Sequence, residues 1–157
     1  MNYVETGIVG KIRYRFDILY PSDKANGKEN LMCKKINYAK MTKDVYEWCV
    51  ARNLWDDACI YFDFKAWATW DKWNGEHGRK IADGLYEYEN KLCTDYFEYG
   101  NPHTLSMSFE GNLYGVFNYY WEDALYSKWY DEFYNLIGKY DCYFELGHAW
   151  NLTVVED

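Results

Sequence analysis

From Lys11 to Tyr20 the chain alternates strictly, with Ile12, Tyr14, Phe16, Ile18 and Tyr20 on one face and Arg13, Arg15 and Asp17 on the other. A period of two places successive side chains on opposite sides of a pleated backbone, so this run predicts a half-buried strand. Pro21, Ser22 and Asp23 end it, and the polar run through Asn30 predicts a loop. A basic stretch from Lys34 to Lys43 follows. The period then turns helical, with Thr42 suited to an N-cap, Asp44 in the first turn, and Val45, Trp48, Cys49 and Trp55 recurring on one side.

Asp56 and Asp57 interrupt that pattern, and Ile60, Phe62, Phe64 and Ala66 then alternate with Tyr61, Asp63, Lys65 and Trp67, predicting a second strand. Asn74-Gly75, with Gly78 close behind, predicts a turn. Residues Arg79 to Gly100 alternate weakly through Leu85, Tyr86 and Tyr88, then Tyr96, Phe97 and Tyr99, which suits a twisted hairpin or ribbon. After the break at Asn101-Pro102, His103 to Phe109 predicts a short strand with Leu105, Met107 and Phe109 inward.

Gly111-Asn112 opens a helical stretch through Tyr120, and a longer helix is predicted from Glu122 to Tyr140. Leu125, Trp129, Phe133, Leu136, Ile137 and Tyr140 share one face of it. Finally Cys142, Phe144, Leu146, His148, Trp150, Leu152 and Val154 alternate as one long strand, amphipathic enough to be expected at the centre of the sheet. Without repeat, linker or low-complexity tract, the 157 residues predict one α+β domain spanning 1–157. The expected architecture is a two-layer sandwich, a mostly antiparallel sheet with two or three helices packed on one face.

Composition sharpens this picture. Aromatic residues make up 22% of the chain, with 18 Tyr and 8 Trp. Such rings bury large areas, yet their polar tips also favour binding surfaces, so a core and a set of surface rings are both expected. The opening MNYVETGIVGKIRY lacks the basic-then-apolar pattern of a signal peptide, and no stretch reaches the roughly 18 apolar residues of a membrane span. Five scattered cysteines (Cys33, Cys49, Cys59, Cys93 and Cys142) form no CxxC pair, which fits reduced thiols in a cytoplasm.

Charge is divided along the chain. Through Lys43 there are nine basic and four acidic residues, whereas from Asp44 onward there are eight basic and 21 acidic. An acidic body of this kind repels nucleic acid and anionic membranes and steers association toward basic partners.

Catalytic motifs are absent. There is no GxGxxG or GxxxxGK[ST] for phosphate cradling, no HExxH or PCxxC for zinc, no DxDxDG calcium loop and no GxSxG elbow. No cofactor or metal is therefore expected. Of His77, His103 and His148, the last falls on the apolar face of the final predicted strand near Glu145, where a buried imidazole could serve as a general base. A hydrogen-bonded core histidine is the commoner reading of that position. Cys142 stands about 20 Å from His148 along an extended strand, too far for a direct dyad. Acidic pairs at Asp56-Asp57, Glu87-x-Glu89, Glu122-Asp123 and Asp131-Glu132 suit helix ends and solvated faces better than a hydrolytic pair.

The combination left is aromatic and acidic. Tyr119, Tyr120 and Trp121 precede Glu122 and Asp123, and Tyr130 precedes Asp131 and Glu132. Rings beside carboxylates receive Arg and Lys side chains by salt bridge and by cation–π contact. Each carboxylate can stand where a phosphate would, and each ring where a base would stack. These eight residues are the expected partner-binding set, and the expected partner is a basic protein such as a nuclease or another nucleic-acid-binding enzyme.

In size, charge and composition, though in no motif, the chain is similar to small acidic inhibitors of phages and mobile elements, including anti-CRISPR proteins and DNA mimics. It is similar in the same way to acidic immunity proteins that neutralise nuclease toxins. The resemblance implies inhibition of a basic nucleic-acid-handling protein without direct binding to nucleic acid. The alternatives are a small enzyme with a site around His148, and an aromatic platform for sugars or another flat ligand built from Trp67, Trp70 and Trp73 at a spacing of three.

Overall fold

A computed structural model describes residues 36–89 and 91–157; the chain divides between Cys33 and Lys34 into two units, and these residues belong to the second. The expected strand Lys11–Tyr20, the loop through Asn30 and the start of the basic stretch lie outside the described residues.

The first helix, α1 (Tyr38–Val50), begins a turn ahead of Thr42. Asn37 caps it, its side-chain oxygen accepting from the Lys40 N–H at 2.9 Å. Thr42 lies inside the helix, where its hydroxyl donates to the Tyr38 carbonyl at 2.8 Å. Met41, Val45, Trp48 and Cys49 form the buried face, as the helical spacing of the last three required.

Among the described residues seven strands make one antiparallel sheet, in the order β5 (Arg79–Ala82), β6 (Leu85–Glu89), β2 (Lys65–Ala68), β1 (Ala58–Phe62), β7 (Ser106–Phe109), β9 (Asn151–Glu156) and β8 (Cys142–Leu146). A small hairpin of β3 (Lys72–Trp73) and β4 (Glu76–His77) stands beside it. Its turn is Asn74-Gly75, both at positive φ (50° and 87°), the left-handed conformation that Asn and Gly adopt most readily.

Two predicted strands prove to be hairpins. Residues 60–67 fold as β1 and β2 around Asp63-Phe64, with Phe62 opposite Lys65. A two-residue turn exchanges odd and even positions between faces, so Trp67, and not Ala66, lies on the side of Ile60 and Phe62. The long C-terminal strand likewise breaks between Leu146 and Asn151. Asn151 Oδ1 accepts from the His148 N–H at 2.6 Å, and a Cβ on Gly147 would lie 2.5 Å from that same oxygen, so a side chain there would displace the acceptor. Among the described residues the expected central strand is instead the last strand of the sheet, β8, with its partner β9.

The helices α1, α3 (Asn112–Asn118) and α4 (Ala124–Gly138) cover one face of the sheet. Phe133, Ile137, Leu113 and Phe117 meet Ile60, Met107, Phe109, Leu152 and Val154 there. This is the expected α+β arrangement of an antiparallel sheet with three helices on one face. The opposite face carries a second, aromatic core. Short helix α2 (Cys93–Tyr96), Phe97, Trp70 of the β2–β3 connection and Trp73 of β3 pack over Tyr61, Ala66, Ala68 and Tyr88.

Candidate functional site

The expected binding residues converge at the corner between α3 and α4. The N–H groups of Glu122 and Asp123 both donate to the Tyr119 carbonyl, at 3.0 and 3.2 Å, which tightens the connection. Asp123 then caps α4, its Oδ1 accepting from Leu125 at 2.7 Å and Tyr126 at 3.2 Å. Gly115 allows the close approach of the two helices, since a Cβ there would lie 2.8 Å from the Tyr126 ring.

With the backbone held this way, the rings of the corner stack in series. Tyr120 lies on Tyr130 with centroids 4.2 Å apart, and Trp121 meets Tyr120 edge-on at 5.0 Å. Trp121 is 64% exposed and Tyr119 45%. The Trp121 indole N–H donates to Glu122 Oε1 at 3.2 Å. Burial raises the Tyr130 phenol, so this ring stays neutral.

The remaining two residues part company, because consecutive positions on a helix point about 100° apart. Asp131 is exposed and in no ion pair among the described residues. Glu132 is engaged by Arg52 at 2.7 Å and braces α4 against the end of α1. Thus Tyr119 to Asp123 and Tyr130 form one neighbourhood and Glu132 another, with the Asp123 carboxylate already occupied by the helix cap.

His148 is exposed in the β8–β9 turn, where it stacks on Trp150 at 5.5 Å and meets the Tyr99 ring edge-on at 4.9 Å. The expected place on an apolar face is therefore incorrect, and with it goes the buried general base. The three tryptophans expected as a platform are also divided. Trp67 lies on the helix-covered side and donates to Glu87 at 2.8 Å, while Trp70 and Trp73 pack together on the other side at 5.9 Å. Glu87 itself is buried and held by Lys65 and Arg79 as well.

A cavity of ≈ 410 Å³ opens on that second side. Its floor is Tyr61, whose hydroxyl lies 3.0 Å from that of Ser108 across β1 and β7. Phe97 stacks on Tyr61 at 4.7 Å, and Trp73 meets it edge-on at 5.7 Å. Trp150 closes the side beyond Phe97, at 5.7 Å from it. Asp57, Glu98 and Glu110 also line the cavity, and among the described residues no Lys, Arg or His does. Asp57 adopts positive φ (45°), and its carbonyl accepts from the Glu110 N–H at 3.1 Å, which joins the backbone at two of these positions. Its neighbour Asp56 instead receives the Asn112 N–H at 3.0 Å, at the start of α3. Burial pushes the Tyr61 phenol far above its ordinary value, so it remains a neutral hydroxyl.

Sequence reasoning missed this cavity because its walls come from five separated stretches between Asp57 and Trp150, with no local motif. The one signal was the aromatic cluster Tyr96, Phe97 and Tyr99, which falls after the hairpin it was assigned to. Among the described residues no helix is long and apolar enough to cross a membrane. No family model, curated protein or solved structure matches the chain.

Proposed function

We propose that the chain is a small acidic binding protein that inhibits a basic, nucleic-acid-handling protein in the cytoplasm, in the manner of anti-CRISPR proteins and DNA mimics. The observation that carries the reading is the α3–α4 corner, where a 64%-exposed Trp121 stands beside Glu122 with Tyr119 also exposed. Large exposed aromatics are costly to leave in water and are the side chains that most often anchor protein interfaces. Leu125 and Tyr134, 49% and 54% exposed, extend the apolar surface along α4. The excess of 21 acidic over eight basic residues from Asp44 onward selects a basic partner and repels nucleic acid itself.

A cytoplasmic setting is supported by the thiols. Cys49, Cys59, Cys93 and Cys142 are free and buried, an arrangement suited to a reducing compartment.

The test is inhibition of defined enzymes. Purified RNA-guided nucleases and restriction endonucleases are incubated with the protein, and DNA binding and cleavage are measured at 50 and 300 mM salt. The reading expects at least one such enzyme to lose DNA binding at low salt and regain it at high salt. Unchanged cleavage across the panel, or retention of labelled DNA by the protein itself, contradicts it.

A further inference from the structure

The geometry points to the cavity over Tyr61 as a receptor for one arginine side chain of the basic partner; this rests on the proposed inhibitory reading. At ≈ 410 Å³ it is too large for a lone ion, and it lies in the lower part of the roughly 300–1,000 Å³ range of ligand pockets. Its walls are the rings of Trp73, Phe97 and Trp150, with Tyr61 beneath. Asp57, Glu98 and Glu110 supply negative charge, and among the described residues no basic side chain lines the cavity.

Those two features together select the ligand. A neutral apolar molecule would leave the carboxylates without a counter-charge, and an anion would be repelled. A guanidinium answers both, because its plane stacks on aromatic faces while its fork of N–H donors meets carboxylate oxygens. An ammonium offers the charge without the stacking plane and is held less well. Tyr61 and Ser108, whose hydroxyls lie 3.0 Å apart, also line the cavity and add acceptor oxygens to it.

The site is separate from the α3–α4 corner in its residues, so the two can be tested apart. The probes are acetyl-Gly-Gly-Arg-Gly-Gly-amide, the same peptide with lysine, the same with citrulline, and cellobiose. Each is titrated into the full chain at low salt, and tryptophan indole N–H signals are followed by NMR. The arginine peptide is expected to shift the Trp73 and Trp150 signals, the lysine peptide to bind more weakly, and the citrulline peptide and cellobiose to leave them unmoved.

Two variants of equal net charge separate a site from general acidity. Asp57→Asn/Glu98→Gln/Glu110→Gln is expected to weaken arginine binding about tenfold, the effect of losing a few partly exposed ion pairs. Asp63→Asn/Asp141→Asn/Glu145→Gln, all exposed and outside the cavity, is expected to change it by less than about twofold. Asparagine tolerates the positive φ of Asp57, so the first variant keeps its fold. Citrulline or cellobiose shifting the same signals as arginine overturns the inference, as does an equal loss in both variants. If inhibition of a nuclease persists while arginine fails to bind, the cavity assignment falls and the inhibitory reading stands.

Discussion

The Tyr120 ring lies nearly flat on the Tyr130 ring, 18° from parallel at 4.2 Å. That contact ties a residue outside any helix to the second turn of α4, while Tyr130 in turn packs edge-on against Phe117 and Phe144 of the core. The exposed Trp121 is therefore mounted on a chain of rings that ends in the protein interior. An aromatic anchor fixed before binding loses less conformational entropy when a partner arrives.

Tyr130 is consequently expected to matter as a ring and not as a hydroxyl. Tyr130→Ala should cost about 2 kcal/mol, less than a fully buried aromatic because the residue is only partly covered. Tyr130→Phe should cost under about 0.5 kcal/mol, since the hydroxyl has no hydrogen-bond partner among the described residues. Urea unfolding of both variants measures this, and equal losses would show that the phenol oxygen contributes.

The thiols give a second prediction. Burial raises all four described thiols, that of Cys59 up to about 12, so almost none is thiolate at neutral pH. Cys49, Cys59, Cys93 and Cys142 should resist iodoacetamide in the native protein and react on unfolding. Peptide mapping of labelled protein reads this directly, and fast native labelling at Cys59 would contradict the packing of the second core.

Acid sensitivity follows from two carboxylates. Lys65, first among its neighbours, lowers Glu89 from 4.5 to about 2, and the Lys40 ammonium with the Tyr140 hydroxyl lowers Asp44 below its usual 3.8. A carboxylate depressed in the folded state stabilises it above the unfolded value and loses that contribution as pH falls through the folded one. The urea midpoint should therefore fall between about pH 4.5 and 2, as these groups take up protons. Glu89→Gln should flatten part of that fall, and an unchanged profile would remove Glu89 from the account.

Much of the fold was legible because periodicity reports on burial, and burial is what the helices and strands share. The face Phe133, Leu136 and Ile137 is buried as its helical spacing required. The Asn74-Gly75 turn also followed from residue type alone. What periodicity could not show was where a strand folds back. Leu146 lies opposite Leu152, so even-numbered residues stay on the helix-covered side across the turn and the alternation runs on unbroken. This concealed the hairpin and put His148 on an apolar face when it sits in the exposed turn. Gly147 and Asn151 were the available signals.

The binding residues were legible only as a local run. Tyr120 meets Tyr130 because a tight corner folds α4 back along α3, a relation that neighbouring positions in sequence already suggest. The engagement of Glu132 by Arg52 joins positions 80 apart, and the cavity over Tyr61 depends on contacts across the whole sheet. Such long-range pairings leave no trace in spacing.

The most direct test of the central claim is the effect of Trp121→Ala on inhibition of a basic nuclease that the wild-type protein blocks. The ring is largely exposed, so the melting temperature should hardly change, whereas affinity for the nuclease should fall by about 2 kcal/mol, some thirtyfold, as for an aromatic anchor at an interface. A variant that folds as wild type and inhibits equally well would place the binding surface elsewhere and contradict the account.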